Sequence, residues 1–398
     1  MDPVSQVPPG PDGFPFANLL VVELASVLAG PSVGQYFAEL GARVIKVENP
    51  HTGGDVTRSW LQSGEQSDGR SAYFHACNWG KESVVLDLAT EEGRAVRDRL
   101  VARADIVLVN ALPGARARTG TDIEAWRQAW PRLIVGLISG YADDPERPGF
   151  DALIQAESGF YHLNGSASGP QKMPVALMDL LAAHGLKEEL LVALLNRATH
   201  GRGAVVEVSL MDAALASLAN RATGFLHTGV DTGPEGSDHP MIAPYGTVFT
   251  CTDGTPVVVA VGSDGQFHAL CDLLEVPLSR DPRFATNAAR VRNRTILKER
   301  LQDSIGKRST DAFLADCRAA RVPAGRVADL ETALAHAHDA LFLHDTAGRR
   351  KGLRSRLGIR RDSSGPMPHL TEPPVLGAHT EAIRTEFSGE GSTYLGTD

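Results

Sequence analysis

A single acid, Asp179, stands between two apolar runs in the stretch Lys172–Leu195. Two kinds of chemistry suit a carboxylate so placed. It can cap a helix, accepting from N–H groups that a helix start leaves unpaired. It can also act as a nucleophile, because a carboxylate attacks an acyl carbon without first losing a proton and leaves it activated. The two readings are compatible, since a helix N-terminus favours the ionised form. Nearby, His184 reads as a substrate contact or as a helix-surface or core histidine, and His162 reads as structural. Met173 and Met178 read as packing. The four cysteines, Cys77, Cys251, Cys271 and Cys317, are scattered, with no CxxC or Cys/His cluster. No metal site or disulfide framework is indicated, and the thiols suit a reducing cytoplasm.

The elements that must position Asp179 follow an alternating pattern. The run Asn18–Ala25 is apolar and β-branched, as a buried strand should be. Ala29-Gly-Pro-Ser32 opens a helix, with Pro31 in the first turn where a missing N–H costs nothing, and Gly41 closes it. Strands are expected at Ala42–Glu48, Ser83–Leu88, Asp105–Val109, Leu133–Ser139 and Ala204–Ser209. Helices are expected over 90–102, capped by Thr90, over 180–196 after Asp179, and over 210–226. Such β-α-β repeats imply a parallel, doubly wound sheet with ligands beyond the carboxyl ends of its strands. The loop after the first strand holds only Gly30 and Gly34, so neither a dinucleotide fingerprint nor a Walker A loop is present. Beyond the Gly-rich segment 229–237 the texture changes. A hairpin with Asp253-Gly254 at its turn spans Tyr245–Val261, and helices follow around 266–274, 294–305 and 310–320. The expected organisation is a large α/β domain over 1–225, a small α+β domain over 226–325, and a segment, 326–398, that returns to the large domain.

The chain has 398 residues, 42% hydrophobic and 22% charged, which suits a globular protein of two domains. Its formal net charge of −9 argues against nucleic-acid binding. One basic run, Arg349–Arg361, reads as a solvated edge or a contact for an anionic ligand or partner. Met1–Pro15 reads as a loose arm without a secretory signal, and no apolar run approaches the roughly 20 residues that span a membrane.

Taken together in order and spacing, several motifs resemble the family III CoA-transferases, whose superfamily includes formyl-CoA and carnitine CoA-transferases and the α-methylacyl-CoA racemases. The motifs are Ala29-Gly-Pro31, Leu40–Glu48, Gly54-Asp-Val-Thr-Arg58, Asp105–Asn110, Pro113-Gly114, Gly149-Phe-Asp151, Gln155, Ser158-Gly159, Asp179, Gly201-Arg-Gly203, Val208-Ser-Leu210, Asp281-Pro-Arg-Phe284, Arg290–Arg294 and Leu376–Thr380. The resemblance implies a Rossmann-like large domain and a smaller α+β domain in an interlocked homodimer. It implies CoA transfer from an acyl-CoA to a carboxylic acid, with Asp179 as nucleophile passing through a mixed anhydride and an enzyme–CoA thioester. No permanent cofactor or metal is implied; CoA is substrate. By the same resemblance Val27, Leu28, Ala29, Leu86, Asn110 and Ala111 would line the CoA path. Arg118 would meet a CoA phosphate and Tyr141 would lie near the nucleophile. The racemases of the superfamily use a histidine where Phe150 stands, and phenylalanine cannot shuttle a proton, so an α-proton-transferring racemase or epimerase is the weaker alternative. A silent CoA-binding homologue is a third. Asn49 and Ser139 replace an arginine and a lysine of formyl-CoA transferases, Ala182-Ala-His184 replaces the usual follow-on of the nucleophile, and no glycine-rich flap is evident at 237–244. These departures imply an acid pair other than oxalate and formate.

Overall fold

The computed structural model describes residues 14–166, 168–356 and 369–388. Six apolar runs form one parallel sheet: β1 (Leu20–Leu24), β2 (Arg43–Glu48), β3 (Lys81–Val85), β4 (Ile106–Val109), β5 (Ile134–Ser139) and β6 (Val205–Ser209), in the order β3-β2-β1-β4-β5-β6. Every pairing is parallel, from Val44↔Lys81 at one edge to Val135↔Val205 at the other. All four residues of β4 are buried, as expected of a central strand covered on both faces. The order reverses between β1 and β4, which opens a crevice at their carboxyl ends.

Among the described residues the chain falls into two compact units. The first is drawn from Met1–Ser158, Pro174–Thr223 and His338–Asp398. It holds the sheet and the helices α1 (Ala29–Ala38), α2 (Ala72–His75), α3 (Glu91–Arg103), α4 (Pro113–Arg118), α5 (Ile123–Ala129) and α6 (Asp151–Glu157). After α7 (Phe160–Leu163), which belongs to the second unit, come α8 (Leu177–His200), α9 (Leu210–Ser217) and α10 (Ala219–Thr228). The second unit is drawn from Gly159–Met173 and Gly224–Ala337. It carries β7 (Tyr245–Thr250), β8 (Pro256–Ala260) and β9 (Ala324–Arg326) in one antiparallel sheet, with α11 (Asp264–Leu273), α12 (Asn287–Arg292), α13 (Arg294–Ile305), α14 (Thr310–Ala319) and α15 (Leu330–Ala335). The hairpin turns at Gly254, whose φ of +79° suits a residue without Cβ.

Back in the first unit, the tail forms the hairpin of β10 (Phe342–His344) and β11 (Arg350–Leu353), then α16 (Thr380–Glu386). His379 exchanges backbone and ring hydrogen bonds with Ser83, and Ile383 and Phe387 enter the core around β1 and β4. Of the basic run, Arg349 and Arg350 pair with Asp345 and Asp339, and 357–361 lie outside the described residues, as does most of the N-terminal arm. All four cysteines are buried free thiols. Among the described residues no helix is long and apolar enough to cross a membrane.

Several boundaries differ from the sequence expectation. β3 begins at Lys81 rather than Ser83, because the Lys81 ammonium enters the interior and meets Glu23 at 2.8 Å. The single helix expected over 210–226 is two, broken where Ala219 takes a φ of +41°. Residues 159–173 and 326–337 group with the second unit. The motif ending in Arg294 is structural there: Arg290 is fully buried and donates to Ala243 O (2.7 Å), Phe284 O (3.1 Å) and Asp264 Oδ1 (2.7 Å). Arg290→Leu leaves two buried carbonyls unsatisfied. A loss of about 3 kcal/mol or more in denaturant unfolding is expected.

Candidate active site

The crevice beyond β1, β4 and β5 holds a cavity of about 330 Å³ within the first unit. Its wall is built from the loop after β1 (Ser26, Val27, Leu28, Ala29), the loop after β4 (Asn110 to Pro113), the end of β5 (Ser139, Gly140) and the segment Gly149–Asp151. Gly140 and Gly149 let that last segment close in. A Cβ built on either would fall 2.5 Å or less from the other's Cα, so their backbones touch and Phe150-Asp151 is drawn to the end of β5.

Asp179 reaches this cavity from the first turn of α8, and it is not the N-cap. The helix starts at Leu177 and Ala176 makes no side-chain cap. The cap comes from elsewhere in the chain: Asp151, at the start of α6, accepts from Met178 N–H at 2.9 Å and from Gln155 Nε2 at 2.7 Å. With the capping done by Asp151, Asp179 makes no cap bond at its own helix start. Only 9% of it is exposed, and burial, then the nearby charge of Asp151, raise its pKa from the ordinary 3.8 to about 7. The helix terminus was expected to favour the charged form. That effect is worth up to about 1 kcal/mol, and desolvation of a buried carboxylate exceeds it. The result is a basic carboxylate poised at neutral pH, the condition sought in a nucleophile or general base.

Of the residues singled out from sequence, Val27, Leu28, Ala29, Asn110, Ala111 and Asp179 line this one cavity. The Asn110 side chain is already engaged, accepting from Ser26 N–H (3.1 Å) and donating to Ser26 O (2.8 Å), so it shapes the wall. Leu86, Arg118 and Tyr141 do not line it. Leu86 is wholly buried in the core and Arg118 is exposed on α4. Tyr141 donates to Glu157 Oε2 at 2.9 Å under the Arg147 guanidinium, 4.1 Å above its ring. His184 is exposed on α8 away from the cavity, and His162 pairs with Asp231 at 3.0 Å in the second unit. Ala182 and Ala183 are fully buried, in the helix that packs on α1.

Sequence reasoning missed Arg116 and Glu207 and named Asp151 only within the Gly149-Phe-Asp151 motif; all three line the cavity. Arg116 is the one cation among the lining residues, and its buried Nε has no hydrogen-bond partner. The signal is the turn of α4, which the sequence reading did not expect: Arg116 lies three residues after Pro113, on the same helix face, whereas Arg118 lies five after it.

Comparison with known proteins identifies the family. The pattern of CoA-transferase family III matches residues 16–380. A succinate–glutarate CoA-transferase from Agrobacterium fabrum is 35% identical over 94% of this chain and 96% of its own. An acetyl-CoA:oxalate CoA-transferase from Acetobacter aceti is 36% identical over 96% of this chain and 97% of its own. A crystal structure of a CaiB/BaiF family protein from Brucella suis superposes with a TM-score of 0.81 at 37% identity, covering 93% of this chain and 98% of that one. The chain belongs to the family III CoA-transferases.

Proposed function

We propose that this protein moves CoA from an acyl-CoA to a carboxylic acid, with Asp179 as the covalent nucleophile. An Asp179 oxygen attacks the thioester carbonyl, the C–S bond breaks, and CoA thiolate departs with the electron pair. The thiolate attacks the aspartyl carbonyl of the resulting anhydride and releases the donor acid as its carboxylate. An acceptor carboxylate then repeats the two steps in reverse, and Asp179 is restored. No proton is consumed. The observation that carries the reading is a buried carboxylate, its pKa raised to about 7, in the wall of a switch-point cavity. Phe150 beside it carries no proton, which supports acyl transfer over α-proton transfer.

The oxyanion of each tetrahedral intermediate would be met by backbone N–H groups at the start of α1, Ala29 first among them, since a helix start leaves its N–H groups without intrahelical partners. Arg116 would meet a CoA phosphate, a role that suits its fixed fork of donors. Arg116→Leu should raise KM for the acyl-CoA by about tenfold with kcat little changed, as for loss of one charged contact. Relatives named for glutarate and oxalate point to a small dicarboxylate as acceptor. The family resemblance supports a homodimer, as do large apolar side chains left exposed, such as Leu195 on α8.

The test is a panel of succinyl-, acetyl- and glutaryl-CoA against small mono- and dicarboxylates, with deuterium exchange at the α-carbon followed in parallel. CoA transfer without α-exchange is expected. Exchange without transfer would overturn the proposal in favour of a racemase.

A further inference from the structure

The loop that carries Val27, Leu28 and Ala29 to the cavity is anchored by side chains at both backbone polar groups of Ser26 and of Val27 and at the carbonyls of Ala25 and Pro31. Lys46 Nζ donates to Ala25 O at 2.8 Å. Asn110 holds both Ser26 N–H and Ser26 O. Asp55 accepts from Val27 N–H through both carboxylate oxygens, at 3.3 and 3.2 Å. Cys77 Sγ donates to Val27 O at 3.4 Å, and Lys81 Nζ donates to Pro31 O at 2.9 Å. The pinning groups form one buried network: Lys46 meets Glu23 and Asp55 at 2.9 Å each, and Lys81 meets Glu23 at 2.8 Å. Two carboxylates balance two ammoniums, all essentially without solvent exposure. Burial keeps the Cys77 thiol protonated, pushing its pKa up to about 12, so it remains a donor.

What this network holds is unusual. Val27 is β-branched and sits at φ +73°, where only glycine, without a Cβ, rests without strain. Such a conformation is strained and persists only where the surroundings over-determine it. It occurs at a cavity wall, immediately before two further lining residues, Leu28 and Ala29.

We infer that Asp55 is a positioning residue for acyl transfer: its buried carboxylate, clamped on Val27 N–H, holds the first loop of the sheet in the left-handed turn that aims Leu28 and Ala29 at the substrate. The inference rests on the transferase reading above. The carboxylate does not line the cavity and touches no substrate. Its pairing with Lys46 keeps it ionised and fixed in place, since burial alone would favour the neutral acid.

The experiment compares wild type, Asp55→Asn, Val27→Gly and the double variant, reading kcat and KM for succinyl-CoA with glutarate, and CoA affinity by calorimetry. Asp55→Asn is expected to lower kcat/KM by roughly 100-fold and to weaken CoA binding by about tenfold, the order of the strain it releases. Glycine adopts the left-handed turn without an anchor, so Val27→Gly placed on Asp55→Asn is expected to recover about tenfold of the loss. A purely structural role for Asp55 makes the opposite demand: Val27→Gly would leave the defect unchanged or deepen it, and that result overturns the inference. If Asp55→Asn fails to fold by circular dichroism, Asp55→Glu keeps the charge facing Lys46 while displacing the acceptor oxygens. The same rescue by Val27→Gly is then required. Failure of the wild type to transfer CoA would count against the transferase reading alone, because CoA affinity still reports on the turn.

Discussion

Replacing Asp179 with alanine is expected to remove CoA transfer, lowering kcat by about 10⁴-fold or more, the scale seen when a covalent nucleophile is deleted. Asp179 is a buried carboxylate at the wall of the cavity, and its neighbour Asp151 is tied to Met178 N–H and Gln155. Asp179 is the one buried acid among the lining residues. CoA affinity should change little, because the lining residues proposed for the CoA path lie on the loops after β1 and β4. Steady-state kinetics with calorimetric CoA binding checks both halves of the expectation.

The second large effect is on pH. A carboxylate with a pKa near 7 is half protonated at neutrality, and the acid form does not attack. Log kcat/KM should therefore rise with a slope of one up to about pH 7 and level off above it. At pH 5 the enzyme should work roughly 100-fold below its plateau. Burial is the larger cause of the raised pKa and Asp151 the smaller, so Asp151→Asn should move the acid limb to lower pH without restoring an ordinary aspartate profile. Stability follows with the opposite sign. A group whose pKa is raised on folding stabilises the native state below its unfolded pKa, near 3.8, and that stability is lost as pH rises through about 7. Asp179→Asn removes the penalty. It should match wild type at pH 4 and exceed it at pH 8 by on the order of 3–4 kcal/mol, read from denaturant unfolding at the two pH values.

Much of this architecture could be read directly from the chain. The alternation of apolar strand runs with capped helices announces a parallel sheet, and Thr90 caps α3 as its spacing requires, accepting from Gly93 N–H at 3.1 Å. Strand order was beyond reach, because it depends on pairings between segments far apart, such as Val21↔Ile106. Lys81 looks like a strand boundary until Glu23 is placed opposite it. Asp179 looks like a cap because its competitor, Asp151, lies 28 residues earlier. The cavity was half legible. The loop residues Val27 to Ala29 follow from strand ends in a doubly wound fold, but the choice of Arg116 over Arg118 needed the turn of α4. The anchoring of Val27 by Asp55 needed three dimensions altogether: a positive φ at a valine has no sequence signature.

The central claim is that acyl groups and CoA pass through Asp179 itself. The direct measurement is to incubate the protein with succinyl-CoA, trap with hydroxylamine or borohydride, digest, and map the modified peptide by mass spectrometry. The account predicts a hydroxamate, or the reduced alcohol, at Asp179, dependent on acyl-CoA and absent in Asp179→Ala. An unmodified Asp179 in a protein that turns over, or a label on another residue that persists in Asp179→Ala, would contradict it.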